Sequence, residues 1–114
     1  MIIEETVRNF LNEKLECPVW LEIPKSITPP DQYVLVSKTG SDRRNHIKYA
    51  VIALQSYADN LVDAMDLNEA VKSSMDDLIM LDSVSRSALN SDYNFTDTQT
   101  KKYRYQAVYD ITHY

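Results

Sequence analysis

The sequence has almost no glycine and almost no cysteine. Gly40 is the only glycine in 114 residues, so neither a P-loop nor a dinucleotide-binding glycine motif can be present. Cys17 is the only cysteine, which excludes an intrachain disulfide framework and suits a small buried hydrophobe. These scarcities remove two families of nucleotide-binding enzymes and all disulfide scaffolds from consideration.

The chain also lacks an excess of positive charge and any long apolar run. Its formal net charge is -5, so we expect no stable binding of nucleic acid. No stretch of about 18 apolar residues is present, and the opening MIIEETVRNF lacks the basic start and apolar segment of a signal peptide. We therefore expect a protein that is neither inserted in a membrane nor conventionally secreted.

No group of side chains points to catalysis or to a metal. Metal sites need several converging donors, whereas His46 and His113 lie far apart in the sequence and far from Cys17. The carboxylates of segments 63–69 and 75–78 are spread around a helix and fit a solvated face. The serines lack a nucleophile-elbow glycine pattern. We expect no enzyme, no catalytic, cofactor-binding or metal site, and no cofactor.

Length and composition predict one folded domain that spans residues 1–114. Hydrophobic residues make up 44% of the chain and charged residues 25%, which is ordinary for a globular protein. A chain of this length buries roughly two-thirds of its unfolded surface, enough for one modest core. No internal repeat or low-complexity linker marks a boundary.

The first half of the chain predicts a helix followed by three strands. An apolar stripe with helical spacing covers residues 3–15 and ends before Pro18. Segments 19–23, 32–38 and 46–54 have the composition of strands, and the proline-rich PKSITPPD separates the first two. We expect the second and third strands to form an antiparallel hairpin joined by the polar loop TGSDRRN. The third is apolar on both faces, which predicts cover from both sides.

The second half predicts a helix and two strands. Ser56 and Asp59 match a capping box, and apolar residues recur at helical spacing from Tyr57 to Leu78. Segment 84–95 is predicted to pair with the last strand through a turn at 96–102. The predicted fold is an α+β domain with a mainly antiparallel sheet of about five strands and two helices on one face. Its order is helix, strand, strand, strand, helix, strand, strand.

Two surfaces are candidates for contacts with other proteins. The first is the loop 39–45, which is predicted to need Gly40 for its turn and to present binding residues at a hairpin tip. The second is one face of the last strand, YRYQAVYDITHY, which is predicted to pack on the helices, with a subunit interface as the alternative. The loop residues are Gly40, Asp42, Arg43 and Arg44, and the strand residues are Tyr103, Tyr105 and Tyr109.

The sequence resembles the tail terminator, or tail-completion, proteins of long-tailed bacteriophages over nearly its whole length. The resemblance is carried by PKSITPPDQYVLVSKTG, by AVIALQSYADNLVDAMDLNEAVKSSM and by the ending SALNSDYNFTDTQTKKYRYQAVYDITHY. It implies a minor structural protein of the virion that forms rings, commonly of six subunits. Such a ring caps the tail tube, stops its polymerisation and offers a joining surface to the head.

The resemblance also implies partners and a location. The partners are further copies of the chain, the major tail tube protein and the head–tail connector proteins. The location is the head-proximal end of the virion tail, and the host cytoplasm during assembly. One alternative is a neighbouring head–tail adaptor. Another is a small nucleic-acid-binding module that uses Arg43, Arg44 and the cluster Lys101, Lys102 and Arg104, although ordinary surface charge explains these residues too.

The lack of a ligand constellation predicts that the protein holds no metal. Elemental analysis of protein purified without chelators should find no zinc or iron in stoichiometric amount. One metal ion per chain, retained through gel filtration, would contradict this expectation.

Overall fold

The structure is a computed structural model that describes residues 2–100 and 102–114, and it contains two helices and one five-stranded sheet. The strands lie in the order β1-β2-β3-β5-β4, and every neighbouring pair is antiparallel except β1 with β2. The predicted α+β class and element order are confirmed. The elements are α1 (Ile3–Lys14), β1 (Val19–Trp20), β2 (Tyr33–Arg44), β3 (Ile47–Ala58), α2 (Leu61–Asp76), a 3₁₀ turn (Leu78–Met80), β4 (Val84–Asn94) and β5 (Tyr103–His113).

Both helices pack on the same face of the sheet. Helix α1 contacts β1 and β2, and α2 contacts β3, β4 and β5. Their buried side chains join alternate residues of the strands in one continuous core, as the period of two along a strand requires. The core includes Val7 and Leu11 of α1, Val71 and Met75 of α2, and Val34, Val36, Ile52, Leu54, Ala107, Tyr109 and Ile111 of the sheet.

Helix α1 forms where its apolar spacing predicts. Ile3, Val7 and Leu11 recur every four residues and are buried against the sheet. Glu4 and Glu5 occupy the first turn and Lys14 the last, which suits the helix dipole. The helix ends at Lys14, about three residues before the end near Cys17 that Pro18 predicts.

The β2–β3 hairpin is longer and its turn tighter than predicted. β2 continues to Arg44 and β3 begins at Ile47, which leaves only Asn45 and His46 between the strands. Both have positive φ, 49° and 69°, as a type I′ turn requires. The prediction of a loop at 39–45 is wrong. A strand can be recognised by alternating apolar and polar residues only where one of its faces is buried. Here most side chains of the strand end are exposed.

The start of α2 also differs from the prediction. Ser56 lies inside β3, where it pairs with Tyr105, so it cannot begin a helix. The N-cap is Asn60, whose side-chain oxygen accepts a hydrogen bond from the backbone N–H of Asp63 at 2.9 Å. The capping-box prediction fails because the strand continues through Tyr57 and Ala58, which are both buried.

The remaining differences are at strand ends. β1 stops at Trp20 rather than at residue 23, and it pairs with β2 in parallel through Val19 and Val34. Two parallel strands need a connection that returns the chain to the same end of the sheet. Segment 21–32 is this connection. β4 and β5 pair as predicted, and the turn between them contains a bridge from Asp97 to Lys102.

The corrected helix start gives a paired prediction. Replacing Asn60 by alanine should lower the free energy of unfolding by about 1 kcal/mol, because the helix loses its N-cap. Replacing Ser56 by alanine should cost less, because its buried hydroxyl has no hydrogen-bond partner among the described residues. Urea unfolding of both variants measures the difference, and a larger loss for Ser56→Ala would contradict this placement of the helix start.

Candidate functional site

The four residues of the predicted docking loop all lie in strand β2. Gly40 has no positive φ and does not form the turn. It follows a shift in register after Lys38, which is a bulge in the strand. Asp42, Arg43 and Arg44 occupy the last three positions before the turn. Docking at this end of the hairpin stays a prediction, but the residues concerned lie at the end of a strand rather than in a loop.

Arg43 and Arg44 point to opposite faces of the sheet, because successive residues of a strand alternate. Arg44 lies on the face away from the helices, with its Nε 3.2 Å from the Asp42 carboxylate and its guanidinium 5.9 Å from the ring centre of Tyr49. Arg43 lies on the helix side, opposite Lys48 in the β2–β3 register. The two arginines therefore belong to two different surfaces.

On the helix side, three basic side chains form a row across the sheet. Arg43 pairs with Lys48, and Lys48 pairs in turn with His113 of β5. We call Arg43, Lys48 and His113 the cationic row. Together with Lys38 and the first residues of α1 they border a cavity of about 470 Å³. Like charges directly opposite one another destabilise a sheet, so this row is unusual for a surface with only a structural role.

His113 is buried despite its basic neighbours, with 4% of its surface exposed. Burial lowers the pKa of its imidazole, and the positive charges of Lys48 and Lys38 lower it further. The carbonyl of Tyr114, 3.3 Å from Nδ1, acts in the opposite direction. The folded state therefore favours the neutral ring, and the positive charge of the cationic row at neutral pH is that of Arg43 and Lys48.

The second sheet face, which we call the open face, bears no helix. Its side chains include Tyr33, Leu35, Tyr49, Val51, Ala53, Gln55, Tyr57, Tyr93, Arg104, Gln106 and Val108, as the strand registers and the alternation of side chains place them. Ala53, Tyr57 and Gln106 are nevertheless buried. Neighbouring side chains on the same face therefore supply cover that no helix provides.

An aromatic row supplies much of that cover. It runs across the sheet and contains Trp20, Tyr33, Tyr57, Arg104 and Phe95. The rings of Trp20 and Tyr33 are 5.7 Å apart, and those of Tyr33 and Tyr57 are stacked at 4.6 Å. The Arg104 guanidinium then lies 4.4 Å from the ring centre of Phe95 and 5.8 Å from that of Tyr57. Stacking and cation–π contacts of this kind hold the side chains in place.

A chain of hydrogen bonds orders the polar groups beside the aromatic row. Arg104 donates to the Tyr57 hydroxyl at 3.0 Å, and that hydroxyl donates to Gln55 Oε1 at 3.1 Å. The Gln55 amide donates to Gln106 Oε1 at 2.9 Å, and the Gln106 amide donates to the Tyr93 hydroxyl at 2.6 Å. The open face is thus a pre-ordered surface of aromatic and amide groups.

The tyrosines of the last strand have different environments. Tyr109 has 1% of its surface exposed, and its hydroxyl donates to the carbonyl of Lys72 at 3.2 Å. Burial raises its pKa to about 12. Tyr103 and Tyr105 are only half-buried. The structure therefore places Tyr109 in the core beneath α2 and leaves the other two at the margin.

Sequence patterns missed both rows. Lys48, His113, Trp20, Tyr33 and Tyr57 are far apart in the chain, and only the strand register brings them together. The basic cluster 101–104 does not form one surface either, since Arg104 belongs to the aromatic row while Lys102 is exposed. Lys101 lies outside the described residues.

Comparison with models of known protein families finds no match to this chain, and comparison with curated proteins finds none either.

Within residues 2–100 and 102–114, no three His, Cys, Asp or Glu side chains are placed to hold a metal ion. No helix in the same ranges is long and apolar enough to cross a membrane.

The lowered pKa of His113 predicts a loss of stability in mild acid. A histidine with a depressed pKa keeps its full contribution above its ordinary value of 6.5, and loses it as the pH falls towards the folded value. The free energy of unfolding of the wild type should therefore decrease between pH 7 and pH 5.5. In His113→Gln this decrease in the free energy of unfolding should be smaller. Urea unfolding of both proteins at each pH measures it, and an equal decrease in the two proteins would show that His113 is not its source.

Proposed function

We propose that this chain is a structural protein of long-tailed phage virions. It acts as a tail terminator: copies of the chain form a ring, with six as the number of subunits, at the head-proximal end of the tail. The ring caps the tube, stops its polymerisation and presents the surface on which the head is joined. Its direct partners are the major tail tube protein and the head–tail connector proteins, and it performs no catalysis.

The observation that carries this proposal is the open face with its aromatic row. Interfaces between proteins are enriched in tyrosine, tryptophan, phenylalanine and arginine, and the strongest contacts come from such residues held in fixed positions. Tyr33 and Tyr57 are themselves buried, and they hold the half-buried Trp20 and Arg104 in fixed positions before any partner arrives. A partner can therefore bind this face with little further loss of side-chain entropy.

The exposed positions of the open face fit the same role. Tyr49, Tyr93 and Phe95 each expose about 40% of their surface, and they extend the aromatic character to both ends of the face. The resemblance of the sequence to tail terminators supplies the identity of the partner, since the face itself specifies only a protein surface.

A head–tail adaptor is the alternative within the same class. It would use the same surfaces against a different neighbour, and the genes on either side of this one would distinguish the two. A nucleic-acid-binding module is less well supported, because the Arg104 guanidinium already donates to the Phe95 carbonyl at 2.6 Å and to the Tyr57 hydroxyl. Phosphate would have to compete with these bonds.

Complementation of a phage that lacks this gene tests the proposal. The mutant phage should produce overlong tails or tails without heads, and the wild-type protein should restore complete virions. Tyr49→Glu should fail to restore them, because a charge is placed on the open face. Surface substitutions change stability by about 0.5 kcal/mol or less, so its melting temperature should stay close to that of the wild type.

Met80→Glu is the matched control, since Met80 is exposed in the 3₁₀ turn, away from the open face. It should restore virions fully. Normal tails in the phage that lacks the gene would contradict the terminator function. Full activity of Tyr49→Glu would show that the open face is not the binding surface.

A further inference from the structure

The cationic row has no negative partner within the described residues. No carboxylate in residues 2–100 and 102–114 lies within 4.0 Å of the charged groups of Arg43 or Lys48. The acidic residues that border the same cavity have other contacts. Asp42 pairs with Arg44 on the opposite face, and Glu4 is 3.8 Å from Lys38. Arg43 and Lys48 thus make no direct ion pair among the described residues, although the chain has a net charge of -5 and Glu4 and Asp42 border the same cavity.

The opposite end of the sheet carries the reverse charge. Carboxylates gather where β3 ends and α2 begins, and we call this group the acidic end. Asp31 and Asp59 border one cavity there, and Glu16, Asp63 and Asp66 border another. Lost solvation raises the pKa of the Asp59 carboxyl, and the negative charges of Asp31 and Asp63 raise it further. Lys102 and Lys14 are the only described basic residues that border these cavities.

The two charged groups are separated by the length of the longest strands. The cationic row is next to the β2–β3 turn, whereas Asp59 follows the other end of β3. A 12-residue strand spans about 40 Å, close to the longest dimension of the molecule, 44 Å. A single copy of the chain therefore cannot bring the two groups together.

We propose that the cationic row of one copy of this chain binds the acidic end of the next copy, so that the subunits associate head to tail. This inference rests on the proposed function and specifies which surfaces form the ring. Contacts of this kind join two different patches of identical subunits, and they close into a ring when the rotation between subunits permits it. The contact relieves the repulsion between like charges at both ends at once.

Charge complementarity across such an interface has a measurable signature. It selects the correct partner surface and makes association sensitive to salt, while like charges placed against each other oppose association. Reversing the sign at either end should therefore prevent association, and reversing both ends should restore it.

The experiment compares five proteins by light scattering over a concentration series at low salt. The wild type should assemble, and Lys48→Glu and Asp59→Lys should each require at least about tenfold higher concentration, because each places like charges in contact. The double variant Lys48→Glu/Asp59→Lys should assemble like the wild type. Lys25→Glu, which makes the same change of charge in the proline-rich segment, should have no effect.

Circular dichroism of each variant shows whether it folds. We expect both single variants to fold, because each reversal replaces a residue that faces like charge. Assembly of Lys48→Glu at wild-type concentrations, or failure of the folded double variant to recover, would overturn the proposed contact while leaving the ring intact. A wild type that stays monomeric at every concentration, including with tail tubes added, would overturn the ring and the contact together.

Discussion

The arrangement of this protein depends on one constraint, which is that two short helices must cover a sheet of long strands. Helices of 12 and 16 residues extend about 18 and 24 Å, whereas 12-residue strands extend about 40 Å. Both helices lie on one face, so the other face is uncovered and the strand ends project beyond the helices. The open face is the uncovered side of the sheet, and the cationic row lies at the strand ends beside the first residues of α1.

Polar and aromatic contacts stabilise the open face and the edge of the sheet. On the open face, the aromatic row and its hydrogen bonds replace the missing helix layer. At the edge of the sheet, Lys72 of α2 lies 2.9 Å from the Asp92 carboxylate of β4, and Asn68 donates to the same oxygen at 2.9 Å. The hydrogen bond from Lys72 lowers the pKa of Asp92. These bonds attach the edge strand to the helix.

The sequence predicted those elements whose periodicity reflects burial. Helix α1 and strand β5 have one buried face each, so their spacing of four and of two residues was sufficient to place them. The end of β2 was missed because most of its side chains are exposed on both faces, and the pattern of residues 39–44 then resembles a loop. Ser56 was misread because a serine before an apolar helical stripe is a usual cap, whereas here tertiary packing keeps it in a strand.

Both rows were beyond prediction for a different reason. Each is assembled from three or more strands, so its members become neighbours only through the order β1-β2-β3-β5-β4 and the register of each pair. Local sequence patterns do not specify that register. The charges of Arg43 and Lys48 were visible in the sequence, but their juxtaposition with His113 was not.

We infer that uncovered surfaces, rather than a pocket, carry the proposed function of this protein. Electron microscopy of the purified protein mixed with tail tubes tests it most directly. The predicted result is a closed ring at one end of each tube, with the β2–β3 hairpin of one subunit against the acidic end of the next. Bare tube ends beside free monomers, at concentrations well above those of assembly in the cell, would contradict it.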